Sequence, residues 1–302
     1  MKIKSKIKKI IKNPLYLIVF FNNRGITLIK DDEKYIRFHY RLRMNEKLNL
    51  DNPKNFNEKI QWLKLNNRKD IYVSMVDKYA AKKYVSNIIG DEYIIKNLGV
   101  YNKFEEINFD ELPEQFVIKS THDSGGIVIC KDKKNLDIKS AKKKINKSLK
   151  RKFYLSGREW PYKNVVPRII IESFMCDSNK DELIDYKFFC FNGEPKMILT
   201  CSERFSSNNM CKTFFDNNWN VLPITENKHR IDKSIKRPIN FDKMLEFSKK
   251  LAVNIPFVRI DWYEVNKKLY FGEITFFPNS GFEKFEPEEW NEKLGSWINL
   301  ED

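Results

Sequence analysis

The segment that most restricts how this chain can fold is VRIDWYEVNKKLYFGEITFFP, residues 258–278. It reads as two β-strands, Val258 to Val265 and Leu269 to Phe276, joined by a tight turn at Asn266 to Lys268. A three-residue loop pairs Val265 with Leu269, which places Asp261 opposite Glu273 and Arg259 opposite Thr275. Parity then puts Val258, Ile260, Trp262, Tyr270, Ile274 and Phe276 on an apolar face, and Arg259, Asp261, Glu273 and Thr275 on the other. Carboxylates facing each other across a ladder sit roughly 5 Å apart at Cβ and repel unless something compensates. A divalent cation is one compensation: Mg2+ takes one or two carboxylates and completes its octahedron with phosphate oxygens and water. Pairing with Arg259 and nearby lysines on a surface strand is the other.

The rest of the chain has to supply partners for that hairpin. Further β-rich runs are Phe116 to Lys119, Ile127 to Cys130, Ile169 to Phe174, Tyr186 to Phe191, Met197 to Cys201 and Thr213 to Phe215. Helical spacing covers Phe56 to Leu65, Asp77 to Val85, Ile138 to Lys152 and Phe241 to Ala252. Hairpins interleaved with few helices argue for an α+β fold rather than a doubly wound parallel sheet. The expected organisation is a basic amphipathic segment over 1–30, a mainly helical region over 31–112, a small lobe over 113–175 and a larger C-terminal lobe over 176–302 that carries the paired carboxylates.

Two more segments carry chemistry. In QFVIKSTHDSGGIVIC, residues 115–130, a strand ending at Lys119 leads into a loop containing Ser124, Gly125 and Gly126. Backbone amides of such a loop can close over phosphates while a strand lysine supplies charge. A Ser-Gly-Gly turn alone is weak evidence, and neither a P-loop nor a G-x-G-x-x-G pattern is present. His122, in the same loop, reads as a loop hydrogen-bonding residue. In RIIIESFMCDSNKDELIDYKFFCFNG, residues 168–193, a strand ends at Glu172, and Asp185 and Lys187 later alternate with Tyr186 and Phe188. The linker offers an amide and a carbonyl that suit purine N1 and N6. A plain hairpin with a charged face fits these residues equally well.

Taken together, VDKYAAKKYV, FNEKIQWLKL, FVIKSTHDSGG, DYKFFCFNGEP and FGEITFFPNSGF resemble the ATP-grasp superfamily, and within it the TupA-like branch associated with teichuronopeptide and surface-polysaccharide synthesis. The similarity runs from about Tyr35 to Gly281. It implies two α+β lobes gripping ATP, with Mg2+, after a mainly helical N-terminal region. By the same resemblance Lys78 and Lys119 match the lysines that hold phosphates, and Ser124 to Gly126 the loop over them. Glu172 with the backbone of Ser173, Phe174 and Met175 matches the adenine and ribose hinge, with Asp185 and Lys187 beside it. Asp261 and Glu273 match the metal ligands, and Arg259 the arginine that stabilises the transferred phosphoryl, with Lys119 a further catalytic cation. The family's E-x-N is broken here by Thr275, a poorer ligand, so Asn279 is the candidate replacement. Gly281, with Asn279 and Ser280, resembles a loop that shapes the acceptor pocket. Arg204 and Lys212 flank a Ser/Asn-rich loop and are further phosphate or carboxylate candidates.

The implied reaction activates a carboxylate and joins it to an amine. The expected substrates are an acidic glycan or sugar-nucleotide carboxylate, such as a uronic acid, and an amino acid or small amine. Net charge of +15, from 56 Lys and Arg against 41 Asp and Glu, suits such an anionic partner. The competing reading as a glycosyltransferase needs a D-x-D or equivalent motif, and no D-x-D occurs. A nucleic-acid-binding module would interleave basic residues with exposed aromatics, whereas these aromatics fall on expected core faces. Five cysteines without metal spacing suit a reducing compartment, hence the cytoplasm. Six lysines in the first twelve residues precede an apolar run of about seven, too short to span a bilayer, so residues 1–21 read either as a peripheral contact with an anionic membrane at its inner face or as a frayed, solvated tail.

Overall fold

The computed structural model describes residues 13–177, 182–202, 210–226 and 229–300. It opens with five helices: α1 (Tyr16–Asn22), α2 (Asp32–Met44), α3 (Phe56–Asn66), α4 (Ile71–Val76) and α5 (Ala80–Ile89). Asp31 caps α2 by accepting from Lys34 N at 2.8 Å, and Asn55 and Glu58 form a reciprocal capping box ahead of α3. Caps of this kind stabilise a helix by roughly 1 kcal/mol each. The helix expected from Asp77 starts later, at Ala80. Asp77 is extended and its carboxylate accepts from Tyr79 N at 2.9 Å, a local bond that competes with the helical pattern. Lys78 is thereby left in the turn between α4 and α5.

The smaller sheet comprises β1 (Asn97–Tyr101), β2 (Phe116–Ser120), β3 (Ile127–Cys130) and β4 (Ile169–Ser173), antiparallel in the order β1-β4-β2-β3. β1 lies within the region expected to be mainly helical; Gly99 and a shift in its pairing interrupt the alternation that would have marked it as a strand. Helix α6 (Ile138–Leu149), three residues shorter than expected, packs Ala141 and Ile145 against Phe116, Ile118, Ile169 and Ile171. Most of its lysines stay in solvent.

The larger sheet runs β10-β9-β5-β6-β7 and is also antiparallel. Its strands are β5 (Asp185–Phe191), β6 (Glu194–Ser202), β7 (Cys211–Phe215), β9 (Phe257–Val265) and β10 (Lys268–Thr275). A two-residue ladder joins β8 (Thr225–Glu226) to β11 (Phe285–Glu286). One face is covered by α7 (Phe241–Leu251), where Phe188 meets Phe241 and Trp262 donates to Ser248 Oγ at 2.8 Å. The opposite face packs Phe257 on Phe56 of α3, with ring centroids 5.0 Å apart, and continues into Arg259 and Asp261. The chain closes with α8 (Glu289–Ser296) beside α3. Among the described residues no helix is long and apolar enough to cross a membrane, and Cys130, Cys176, Cys190, Cys201 and Cys211 are all free thiols.

Candidate active site

The β9–β10 hairpin turns on two residues rather than three. Asn266 and Lys267 both have positive φ, 49° and 65°, and Val265 pairs with Lys268. A one-residue slip ordinarily swaps every side chain to the other face. Here a bulge at Gly272 restores the count, so Asp261 does face Glu273 and Arg259 does face Thr275. Glycine is needed for this: a Cβ at Gly272 would lie 2.9 Å from the Asp261 carbonyl oxygen. Between turn and bulge the expected faces are exchanged. Tyr270 pairs with Tyr263 and is only half-buried, while Leu269 and Phe271 take the core positions.

Cations crowd the carboxylate face. Arg259 donates to both Asp261 oxygens at 2.6 and 2.8 Å, to Glu273 Oε1 at 3.0 Å and to Thr275 Oγ1 at 3.1 Å. Lys187, opposite Asp261 on β5, bonds to Asp261 and lies 3.3 Å from Asp185 Oδ2. Burial pushes the Asp261 carboxyl up from its ordinary value despite Arg259 and Lys187. Glu273, whose side chain is 44% exposed, goes the other way: burial opposes ionisation, but Arg259, Lys187 and Lys78 together hold it at about 2. Lys78, in the turn before α5, thus lies within electrostatic reach of Glu273 on the β9–β10 hairpin.

The small sheet contributes a second charged cluster. Glu172 is buried and bonded to Lys119 of β2 and, at 2.8 Å, to Lys82 of α5. Burial would raise its pKa, but the two lysines hold it at about 2. Lys78 Nζ donates to the Asp123 carbonyl at 2.9 Å. In the loop between β2 and β3, Ser124 and Gly125 are exposed, and Gly125 has φ 133° with open space where a Cβ would be. Gly126 is packed so closely that a Cβ would meet the hydroxyls of Ser148 and Ser120. Asp123 anchors the loop to the end of α6, accepting from Ser148 Oγ at 2.7 Å and from Arg151 at 3.0 Å. His122 Nε2 lies 3.1 Å from the Arg151 carbonyl, in keeping with a loop-bonding role, and burial lowers its pKa.

Beyond Glu172 the strand ends. Ser173 N still bonds to Lys96 O at 3.0 Å, then Phe174 and Met175 leave the sheet. The linker is tied again at Cys176 and Asp177, whose carbonyl and carboxylate accept from Asn266 at 3.4 and 3.2 Å. The tip of the β9–β10 hairpin therefore holds the segment that leaves β4. Asn279, with φ 43°, directs its amide to Phe282 O and Glu283 Oε2. Lys212 pairs with Glu226, and Arg204 lies outside the described residues. Sequence reasoning passed over Lys82, which reaches Glu172 across the fold from α5. It also passed over Tyr162, whose pKa is raised by burial and by Glu159 and Glu273.

A model of the TupA-like ATP-grasp family matches residues 58–299. The chain belongs to the TupA-like ATP-grasp family. ATP-grasp proteins are ATP-dependent ligases that use Mg2+ and act on a carboxylate and an amine. No curated protein matches the sequence. Among solved structures, the D-alanine–D-alanine ligase of Helicobacter pylori aligns at 14% identity and TM-score 0.43 over 81% of this chain and 69% of its own. An ATP complex of the Bacillus anthracis D-alanine–D-alanine ligase aligns at 15% and 0.42 over 75% and 60%, and a RimK-domain ATP-grasp protein of Sphaerobacter thermophilus at 9% and 0.43 over 77% and 70%. Such distant alignments carry nothing about substrate.

The residues of this ATP-grasp chain fit the family's cofactors. Asp261 and Glu273 are hard oxygen donors on one face, a set that suits Mg2+ when phosphate and water complete the shell. Among the described residues no group of three or more His, Cys, Asp or Glu forms a cage. Lys78, within electrostatic reach of Glu273, together with Lys119 and an open glycine loop, are donors of the kind a polyphosphate requires.

Proposed function

We propose that this protein forms an amide by transferring a phosphoryl group to a substrate carboxylate and letting an amine displace phosphate from the acyl phosphate. The observation that supports the reading is the position of Lys78, which donates to the Asp123 carbonyl just before the Ser124–Gly126 loop and lies within electrostatic reach of both Lys119 and Glu273; the chemistry requires no activated side-chain nucleophile. When bound, ATP with Mg2+ supplies the phosphoryl group and neutralises its charge. In this reading Lys78 and Lys119 hold phosphate oxygens and the amides of Ser124, Gly125 and Gly126 close over them. Glu172 and the backbone of Ser173, Phe174 and Met175 take the ribose and adenine, with Asp185 and Lys187 closing the nucleotide side. Asp261 and Glu273 hold the metal, and Thr275 or Asn279 offers a weaker further oxygen. Arg259 stabilises the transferring phosphoryl, helped by Lys119 and, from its loop, Arg204.

The acceptor we favour is the carboxyl of a uronic acid in a bacterial surface polysaccharide or its precursor, amidated by an amino acid or small amine. The excess of basic residues supports an acidic partner. Incubation with ATP, Mg2+, a panel of uronic acids and hydroxylamine as surrogate amine is expected to yield a hydroxamate and ADP. Release of AMP would replace the acyl phosphate with an adenylate. Sugar transfer from a nucleotide sugar without ATP dependence would refute the ligase.

A cytoplasmic, membrane-peripheral location fits the other end of the chain. Leu15, Leu17, Phe21, Ile26 and Leu28 are exposed there, directly after the lysine-rich residues 1–12, which lie outside the described residues. Exposed apolar side chains beside clustered lysines suit acidic lipid. The full chain is expected to sediment with phosphatidylserine-containing vesicles at low salt, and a chain lacking residues 1–21 to stay in solution. Equal behaviour of the two would end this idea.

A further inference from the structure

Helix α3 carries a buried polar stripe that neither the nucleotide cluster nor the carboxylate pair uses. Asn57, Gln61 and Lys64 lie at i, i+4 and i+7, hence on one face, and each is 0% exposed. Burying an amide or an ammonium group is costly unless its hydrogen bonds are replaced. All three find partners on the segment that follows β10. Asn57 Nδ2 donates to Glu283 O at 2.7 Å, and its Oδ1 accepts from Glu283 N at 3.0 Å. Gln61 Nε2 donates to the carbonyls of Ser280 and Gly281 at 3.0 and 2.8 Å. Lys64 Nζ donates to Ser280 O at 2.7 Å, to Gly157 O at 2.8 Å and to Gln61 Oε1 at 2.9 Å.

The gripped segment is one that would not hold its shape unaided. Asn279 and Ser280 both lie in the left-handed region, with φ of 43° and 56°, where the Cβ of a non-glycine residue crowds the following carbonyl. Gly281 follows at φ 67°, and a Cβ there would come within 2.6 Å of Ile60 on α3. The segment also borders the chemistry. It starts four residues after Thr275, and the Ser280 hydroxyl bonds to Glu159, a buried carboxylate within electrostatic reach of Arg259.

We propose that Asn57, Gln61 and Lys64 are positioning residues for the acceptor: by fixing the Asn279–Gly281 turn they set the wall against which the carboxylate substrate lies beside Arg259. The substrate part rests on the ligase reading; the restraint of the turn does not. Lys64→Met keeps the side-chain length but removes a fully buried cation whose charge acts on buried Glu159, so it is expected to lower stability as well as to free the turn. Gln61→Met is a second, uncharged substitution.

For both variants, ATP affinity by calorimetry is expected to stay within about twofold of wild type, while the KM for galacturonate in hydroxamate formation rises about tenfold, since small misplacements at a reacting centre act on the positioned substrate. Backbone amides of Ser280 to Glu283 are expected to exchange with deuterium at least about tenfold faster, as local restraint is lost. Unchanged exchange in both variants would overturn the proposal. So would a rise in the ATP dissociation constant that matches the rise in KM, because that would mark a general loss of structure. If wild type itself forms no hydroxamate, the ligase reading fails separately, and exchange together with ATP affinity still decides whether α3 restrains the turn.

Discussion

Glu273→Gln is expected to melt as the wild type does and to lose about a thousandfold in ATP-dependent turnover, the order of the several kcal/mol that metal-centred charge stabilisation contributes. Its side chain is 44% exposed and bonds Arg259 through one oxygen, so solvent screens most of what the surrounding cations that depress its pKa add to the fold. Asp261→Asn separates the two roles of its partner. It should lose activity to a similar degree but also stability, because Asp261 is 1% exposed and is the anion on which Arg259 and Lys187 converge. Removing one partner from such a buried cluster costs about 3 kcal/mol. Thermal melting alongside an ADP-release assay tests both. Near wild-type turnover in either variant would remove the carboxylate pair from the reaction, and an unaltered melting temperature in Asp261→Asn would mean the pairing contributes nothing to the fold.

Lys119→Met should weaken ATP binding by roughly 10- to 100-fold, the range that follows from losing a hydrogen bond to a charged group. Its Nζ bonds Glu172 in the structure, so a purely structural counter-ion is the competing role. The two roles give opposite signatures. A counter-ion would shift the acid limb of stability: a carboxyl held at about 2 contributes stability that is present above its unfolded value near 4.5 and lost as pH falls toward 2. Lys82 at 2.8 Å still holds Glu172 in the variant, so that shift should be partial. A phosphate ligand would instead lower nucleotide affinity at neutral pH, measured by calorimetry. Unchanged affinity would take Lys119 out of the site.

The pairing of Asp261 with Glu273 was legible because side-chain parity survives as long as the residue count between turn and site is right. It was right for a compensated reason, a turn one residue shorter and a bulge one residue longer. Nothing in the letters Asn-Lys-Lys chooses a two-residue turn, and Gly272 reads equally as a weak strand residue until its contact with Asp261 is seen. The strands around Lys119 and Glu172 were legible from apolar runs bounded by polar loops. β1 was not, because Asn97 and Gly99 break its alternation. Lys82 was invisible for a different reason: its partner Glu172 lies far away in sequence, and no local spacing announces a contact made through the tertiary fold, as is also true of Tyr162 and Glu273. The stripe on α3 shows the limit most plainly, since Asn57, Gln61 and Lys64 read as an ordinary solvated helix face until the turn at Ser280 is laid across them.

The tie between Asn266 and the Cys176–Asp177 segment fastens the two sheets at one end. Ser173 is still stitched into the small sheet through Lys96, and Cys176 is already held by the hairpin of the large one. Only Phe174 and Met175 lie between. A second stitch, the bridge from Ile94 just before β1 to Phe271 on β10, lies at the same end of the small sheet. The loop from Ser124 to Gly126 hangs from the other end, where Ser120 pairs with Ile169 while Phe116 pairs with Ser173, so the fastened margin and the open loop sit at opposite ends of the same strands.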